Sequence, residues 1–289
     1  DIWRADLPNL ACGTTVSWYV AADSNRITFR DPPAAPGKFY TAVVGTMSAN
    51  GFADDMETNQ GWVVGATGDT ATQGLWTRAV PVASAAQPGA DVTPGAGTMC
   101  FVTGNAAAGA PSGTNDVDGG RTTLTSPTFD GTALPGDAYI SYWRWYSNNE
   151  AGAPNDTMLV RLSNNNGSSF VTAEGISDTP GQWMPVTIKL SSVLPVTNQM
   201  KIRFEVSDTG TASTVEAAID DVRVFFARCS TLAGDADGDC GVGLPDIAAV
   251  IQRWGQSVTP GALGDADDDG SIGLGDIAAI IQNWNASCP

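Results

Sequence analysis

The sequence predicts a mainly β protein, with an antiparallel β-sandwich or jelly roll at its centre and a small helical module behind it. Three observations carry this. Short alternating runs recur between turn residues from about residue 50 to 228. No stretch of ten or more residues there shows a 3.6-residue apolar period. From residue 229 onward the apolar residues move to helical spacing, and an internal repeat begins.

Residues 1–48 contain two alternating runs, Thr15-Val16-Ser17-Trp18-Tyr19-Val20-Ala21 and Arg26-Ile27-Thr28-Phe29-Arg30. Asp23-Ser24-Asn25 separates them, and Asp31-Pro32-Pro33 ends the second. The pattern predicts a β-hairpin, which is marginal alone in water and needs strands from elsewhere. This section resembles the last strands of a fibronectin type III or immunoglobulin-like sandwich without its front half. The resemblance implies a piece cut from a longer chain, or one that docks on its neighbours.

Residues 49–228 supply the sandwich. The strands expected are Tyr139–Tyr146, Met158–Leu162, Trp183–Ile188, Lys201–Val206 and Ala218–Val224. About 180 residues suffice to bury one full core. On the strand Tyr139–Tyr146, Trp143 and Trp145 share one face, while Tyr142, Arg144 and Tyr146 share the other. The tryptophan face is expected in the core; on the outside it would offer aromatic surface to a sugar ring.

Residues 229–289 hold a repeat with an offset of 30 residues. Gly234-Asp235-Ala236-Asp237-Gly238-Asp239 matches Gly264-Asp265-Ala266-Asp267-Asp268-Asp269, and Asp246–Trp254 matches Asp276–Trp284. Numbered from its first aspartate, each loop has carboxylates at positions 1, 3, 5 and 12. These are Asp235, Asp237, Asp239 and Asp246, then Asp265, Asp267, Asp269 and Asp276. Calcium wants six to eight oxygens, and this spacing wraps a short loop around one ion. Position 12 also opens the following helix, where a carboxylate suits the amino terminus. Val242 and Ile272, at position 8, are expected to pair the two loops. A lone acidic cluster is often just solvated loop; two in register, each followed by the same helix, argue for two calcium ions.

Residues 229–289 resemble a type I dockerin, whose calcium loops end in Asp rather than the Glu of an ordinary EF-hand. The resemblance implies two calcium ions, folding coupled to their binding, and a cohesin-like partner. Two departures stand out. Cys240 occupies the position-6 glycine of loop one, which puts that loop's geometry in question. The usual partner-contact positions read Leu244-Pro245 and Leu274-Gly275, then Ile251-Gln252 and Ile281-Gln282, in place of small polar and basic residues. Dockerin ends lie close together, so the resemblance also implies a clasp between Cys229 and Cys288. Cys229 with Cys240 stays open as another pairing, as do the partners of Cys12, Cys100 and Cys240.

The middle section resembles the MAM-like or galactose-binding-like jelly rolls that follow catalytic domains in secreted bacterial hydrolases. The residues that carry this are Asp54-Asp55-Met56-Glu57 with Gly61-Trp62, Val117–Pro127, and Glu216–Val222. In such folds the first and last strands are neighbours and often hold a structural calcium. That implies a third, tentative site of Asp55 or Glu57 with Asp221. Turn capping explains the same acids equally well. Ser163-Asn164-Asn165-Asn166-Gly167-Ser168-Ser169-Phe170 resembles an Asp-box hairpin, a folding device that joins Leu162 to Val171 and implies no chemistry.

Composition narrows the function. The chain has no histidine, which removes Ser-His-Asp and Cys-His catalysis and HExxH zinc sites. Its net charge of −17, with only Lys38, Lys189 and Lys201 as lysines, argues against nucleic-acid backbones. No apolar run reaches the 18 or so residues that span a bilayer. Five cysteines in an Asp-rich, Lys-poor chain suggest an oxidising, extracytoplasmic setting with one thiol left over, and the two resemblances imply an extracellular or cell-surface location reached by bacterial-type secretion. Glu150, Glu174, Glu205 and Glu216 are scattered, and none is distinguished as acid or base. The expectation is therefore a non-enzymatic, calcium-binding attachment region, the C-terminal part of a larger protein, that binds a glycan or an extracellular protein. The alternative is a structural subunit of an extracellular fibre or surface layer that self-assembles through its unpaired N-terminal strands.

Overall fold

The structure is a computed structural model. It describes residues 14–287 except 25–26, 34, 45, 94–96, 133–136, 149–155, 210–212, 229–231 and 259–261, and the side chains of 46–50 and 227–228. Cys12, Cys229, Cys288 and Glu150 therefore lie outside the described residues, and so does the proposed clasp.

The N-terminal section forms two small sheets. Strand β1 (Thr15–Trp18) pairs with β4 (Tyr40–Val43), and β2 (Val20–Ser24) pairs with β3 (Ile27–Asp31), all antiparallel. The expected first run is thus broken at Tyr19, and its two halves take different partners. Every residue of β2 and β3 is exposed, so this hairpin contributes no core of its own. It is held by polar contacts to the sandwich. The Gln182 amide donates to Asp31 at 3.0 Å and to the Tyr40 hydroxyl at 3.1 Å, and Lys38 pairs with Asp178 at 3.3 Å.

The sandwich has two antiparallel sheets. Its remaining strands are β5 (Thr46–Asp54), β6 (Val63–Val64), β7 (Trp76–Ala79), β8 (Cys100–Thr103), β9 (Gly120–Thr125), β10 (Ala138–Asn148), β11 (Met158–Ser163), β12 (Val171–Ile176), β13 (Met184–Lys189), β14 (Lys201–Asp208) and β15 (Val215–Arg228). One sheet runs β13-β10-β15-β8-β7, with β5 also on β15; the other runs β12-β11-β14-β9-β6. The long β15 pairs with β8 at Ala218–Ile219 and with β5 from Val222 onward. The first and last strands of the sandwich are therefore neighbours, with Asp54 opposite Val222. Strand β5 starts at Thr46, so the sandwich begins a few residues before the expected boundary at 49.

Alternation fills the core from both sheets. Ile202, Phe204 and Val206 of β14 and Met158, Val160 and Leu162 of β11 meet Ile140, Tyr142 and Tyr146 of β10. Each is fully or almost fully buried, which is worth roughly 1.5–3 kcal/mol per large apolar side chain. The core face of β10 is therefore the Tyr142, Arg144 and Tyr146 face, which reverses the expectation for Trp143 and Trp145. Arg144 tolerates the interior because Glu174 of β12 meets it with two hydrogen bonds, from Nε at 3.1 Å and Nη2 at 2.7 Å. The Tyr142 hydroxyl donates to the same carboxylate at 2.7 Å. Trp145 and Trp183 lie on the outer side, where the 80–93 segment covers them and accepts their indole N–H groups at Ala86 and Ala90.

The Asp-box-like turn forms as expected and joins Leu162 to Val171. Asn165 Oδ1 accepts the Ser169 N–H and the Ser163 hydroxyl, while Asn166 and Gly167 take left-handed conformations.

Helices α1 (Leu244–Gln252) and α2 (Leu274–Gln282) complete the C-terminal module around a separate small core that includes Val242, Val250, Ile272 and Ile280. The loops join at their heads: Gly234 N–H donates to Ala266 and Gly264 N–H to Ala236. Val242 and Ile272 do not pair with each other. Val242 exchanges hydrogen bonds with Asn285 and Ala286 after α2, and Ile272 with Gly255 and Gln256 after α1. Each loop is thus tied to the tail of the other helix.

Candidate functional site

Each C-terminal loop folds its aspartates inward by local hydrogen bonding. Asp235 accepts the N–H groups of Gly238 and Cys240, and Asp265 those of Asp269 and Gly270. Asp239 and Asp269 accept from Gly241 and Ser271, both at 2.7 Å. The result is two triads, Asp235 with Asp237 and Asp239, and Asp265 with Asp267 and Asp269. In each, the candidate ligand oxygens all lie within 4.8 Å of one another. Among the described residues these are the two clusters of this kind.

Asp246 and Asp276 sit at the third helical position, fully buried. Asp246 accepts the N–H groups of Ala236, Asp237 and Gly243. Asp276 repeats this with Ala266, Asp267 and Gly273. Each carboxylate closes the loop onto its helix and satisfies the N-cap N–H. Burial above all, then the neighbouring Asp246, Asp239 and Asp235, pushes Asp237 up to about 6. Asp267 is raised for the same reasons. Like charges crowded this way at partial burial are the donor set that a hard divalent cation fits.

Cys240 does not disturb loop one. It holds φ +69°, matching Gly270 at φ +81°, and Gly238 and Asp268 match two positions earlier in the turn at φ +81° and +62°. Cys100 is a free, buried thiol.

Asp55 or Glu57 with Asp221, the tentative third site, is not among the close three-carboxylate clusters of the described residues. Asp221 is held by Arg223 at 2.6 Å, and Glu57 accepts the Thr98 and Met99 N–H groups at 2.8 Å. Asp55 accepts from Glu57 N–H. The buried carboxylate that faces the 91–93 segment is Asp220, which accepts from Val92 N–H and the Thr93 hydroxyl. The left-handed turn at Asp221, φ +48°, directs the two neighbouring acids to different partners.

The described candidate glutamates, Glu174, Glu205 and Glu216, are each engaged by neighbouring side chains. Glu174 holds Arg144 and Tyr142, and Glu216 accepts from the Thr103 hydroxyl at 2.9 Å in the interior. Burial pushes Glu216 up to about 8, against the Thr103 bond and with a further contribution from Asp116. A cavity of about 240 Å³ opens between the N-terminal strands and the β12–β13 edge, lined by Lys38, Phe39, Glu174 and Val186 among others. Its one described glutamate is already committed.

Sequence reasoning missed the outer face of the β12-β11-β14-β9-β6 sheet. There Glu205, only 4 % exposed along its side chain, lies beneath Arg161, Arg203 and Arg121 at 3.4, 3.8 and 3.9 Å. Period-two alternation puts these residues opposite the core positions Ile202, Phe204 and Val206, so the signal was present but split over three strands.

No protein-family model and no curated protein matches the chain. Solved structures do. A family-61 carbohydrate-binding module in complex with β-1,4-galactotriose is 13 % identical, over 62 % of this chain and 99 % of that one, with a TM-score of 0.37. The K3 cleaved adhesin domain of Lys-gingipain from Porphyromonas gingivalis is 16 % identical, over 63 % and 99 %, with a TM-score of 0.34. A family-22 carbohydrate-binding module from Clostridium thermocellum is 12 % identical, over 63 % and 95 %, with a TM-score of 0.35. At these scores the likeness transfers no function to this chain.

Proposed function

We propose that the chain is a non-catalytic, calcium-stiffened attachment region that works outside the cytoplasm, with the sandwich as its glycan-binding body. The observation that carries the calcium reading is the pair of equivalent carboxylate triads, Asp235, Asp237 and Asp239 with Asp265, Asp267 and Asp269. Asp246 and Asp276 would complete the ligand sets. Bound calcium would neutralise the crowded aspartates and cross-link each loop to its helix, and no reaction step is involved. The sandwich supports the attachment reading through its guanidinium-rich outer face, where donors suit hydroxyl and carboxylate groups.

A second reading, a protein partner for the C-terminal module, rests on its surface. Leu244, Ile251 and Trp254 are 71, 62 and 51 % exposed, and their repeat partners Leu274, Ile281 and Trp284 are 77, 62 and 43 % exposed. Six large apolar residues, four on the two related helices and Trp254 and Trp284 in the turns just after them, mark an interaction surface rather than scattered exposure. A cohesin-like protein is one candidate. Self-assembly through the N-terminal strands has less support, since β1–β4 pair among themselves and dock on the sandwich.

Isothermal titration of the chelator-stripped chain with calcium tests the proposal. Two sites are expected, reduced to one by Asp265→Asn with Asp267→Asn. Absence of binding in the unmodified chain would refute it.

A further inference from the structure

We propose that the outer face of the five-stranded sheet recognises a carboxylate-bearing sugar, a uronate within a sparsely charged glycan. The inference deepens the glycan-binding reading and rests on it. The chain carries −17 overall, yet three of its 11 arginines converge here on one acid. Arg161 and Arg203 stand directly opposite each other on β11 and β14, and Arg121 opposite Ser207 on β9. All three reach Glu205 within 3.9 Å, and among the described residues only Arg121 also forms an ion pair with a second anion, Asp69 at 3.0 Å. Three cations against two anions leave an uncompensated positive charge.

The local electrostatics agree. Arg203 has a lowered pKa, from burial first, with Arg121 and Arg161 adding to it against Glu205 and Asp69. Glu205 fixes the guanidinium groups from below, while their side chains stay 20–35 % exposed above. Thr172 and Thr125 accept from the Nε groups of Arg161 and Arg203 and hold both planes in place. A positioned guanidinium pair matches a planar carboxylate through parallel N–H donors.

Two observations select the ligand class. Phe170, the aromatic ring at this face, is covered by the Arg203 guanidinium at 3.7 Å from its centroid, so stacking on a neutral sugar is blocked there. The compact cluster sits in a field that is negative elsewhere, which opposes long, densely charged polyanions but tolerates an isolated carboxylate.

The test uses the full chain with calcium present, in calorimetric titrations against an oligosaccharide carrying a single glucuronate and against its carboxyl-reduced counterpart. The acidic sugar is expected to bind tenfold or more tightly than the reduced one. Arg161→Gln and Arg121→Gln should each cost roughly ten- to a hundredfold in that binding. Arg161→Lys, which keeps the charge but loses the fork, should also weaken it and guards against a misfolded Gln variant. Equal binding of both sugars would overturn the charge selection and leave the glycan reading intact. No binding of any sugar on a neutral and acidic glycan array would overturn that reading and this inference together. Tighter binding to heparin or single-stranded DNA than to the uronate sugar would show a general polyanion surface and overturn the proposal.

Discussion

Glu216 is 3 % exposed in the sandwich interior, and burial holds its carboxyl near pKa 8, against an ordinary value of 4.5. Asp116 and Asp208 are both raised to about 6, again chiefly by burial. A raised carboxyl takes up its proton in the folded state first. Its stabilising effect is complete below the unfolded pKa and is lost as pH rises through the folded value. The sandwich is therefore expected to melt at progressively lower temperature from pH 5 to pH 8 in a thermal scan. Glu216→Gln should flatten that slope and stabilise the protein at pH 8 by about 1–3 kcal/mol. The opposite group is Arg144, whose charge in the core depends on Glu174. Glu174→Ala should cost about 3 kcal/mol in a denaturant titration, because it leaves a buried cation unpaired. The sequence put Arg144, Tyr142 and Tyr146 on one strand face correctly but could not say that this was the core face. That choice depends on Glu174, 30 residues away on another strand. A guanidinium looks like a surface residue until its partner is known.

The strand order is where local pattern and long-range choice part. Alternation between turn residues was enough to place the strands from Tyr139 to Val224, because each is half-buried and the period is two. The Asp-box-like turn was legible for the same reason, since its internal hydrogen bonds span only the seven residues from Ser163 to Ser169. Asn165→Ala, which removes the acceptor for Ser169 N–H and Ser163, should lower stability by about 1–2 kcal/mol without changing the sheet spectrum in circular dichroism. The N-terminal run was only partly legible. Its break at Tyr19 is set by β4, more than 20 residues later, which no local pattern records. Likewise Val242 and Ile272 each had a buried place in the repeat, but the repeat cannot show that each pairs with the other half's tail. Close backbone approach is another long-range constraint. A methyl group at Gly104, φ +59°, would lie 1.9 Å from the Asn115 carbonyl oxygen. Gly104→Ala should therefore reduce the melting temperature or abolish soluble expression, whereas Ala at Gly109, φ +81° but open to solvent, should cost only about 1 kcal/mol.

At the scale of the molecule, the acid excess divides between two devices. Residues 229–289 contain nine aspartates and one arginine, and eight of those aspartates occupy positions 1, 3, 5 and 12 of the two loops. The sandwich uses its acids singly, as turn caps, as a counterion for Arg144 and as the anchor of the arginine face. The paired aspartate loops were the most legible part of the chain, because a repeat fixes both the residue types and their spacing. The arginine face was the least legible, because its members come from β9, β11 and β14 and meet only in the folded sheet. The C-terminal module has only a small core, centred on Val242, Val250, Ile272 and Ile280, so under the calcium proposal cations are expected to hold its two crowded aspartate clusters together. Differential scanning calorimetry of the whole chain with calcium and then with excess EGTA tests this most directly. Chelation is expected to shift or abolish the unfolding transition of residues 229–289 and leave the sandwich transition in place; identical traces in calcium and in EGTA would contradict the calcium account.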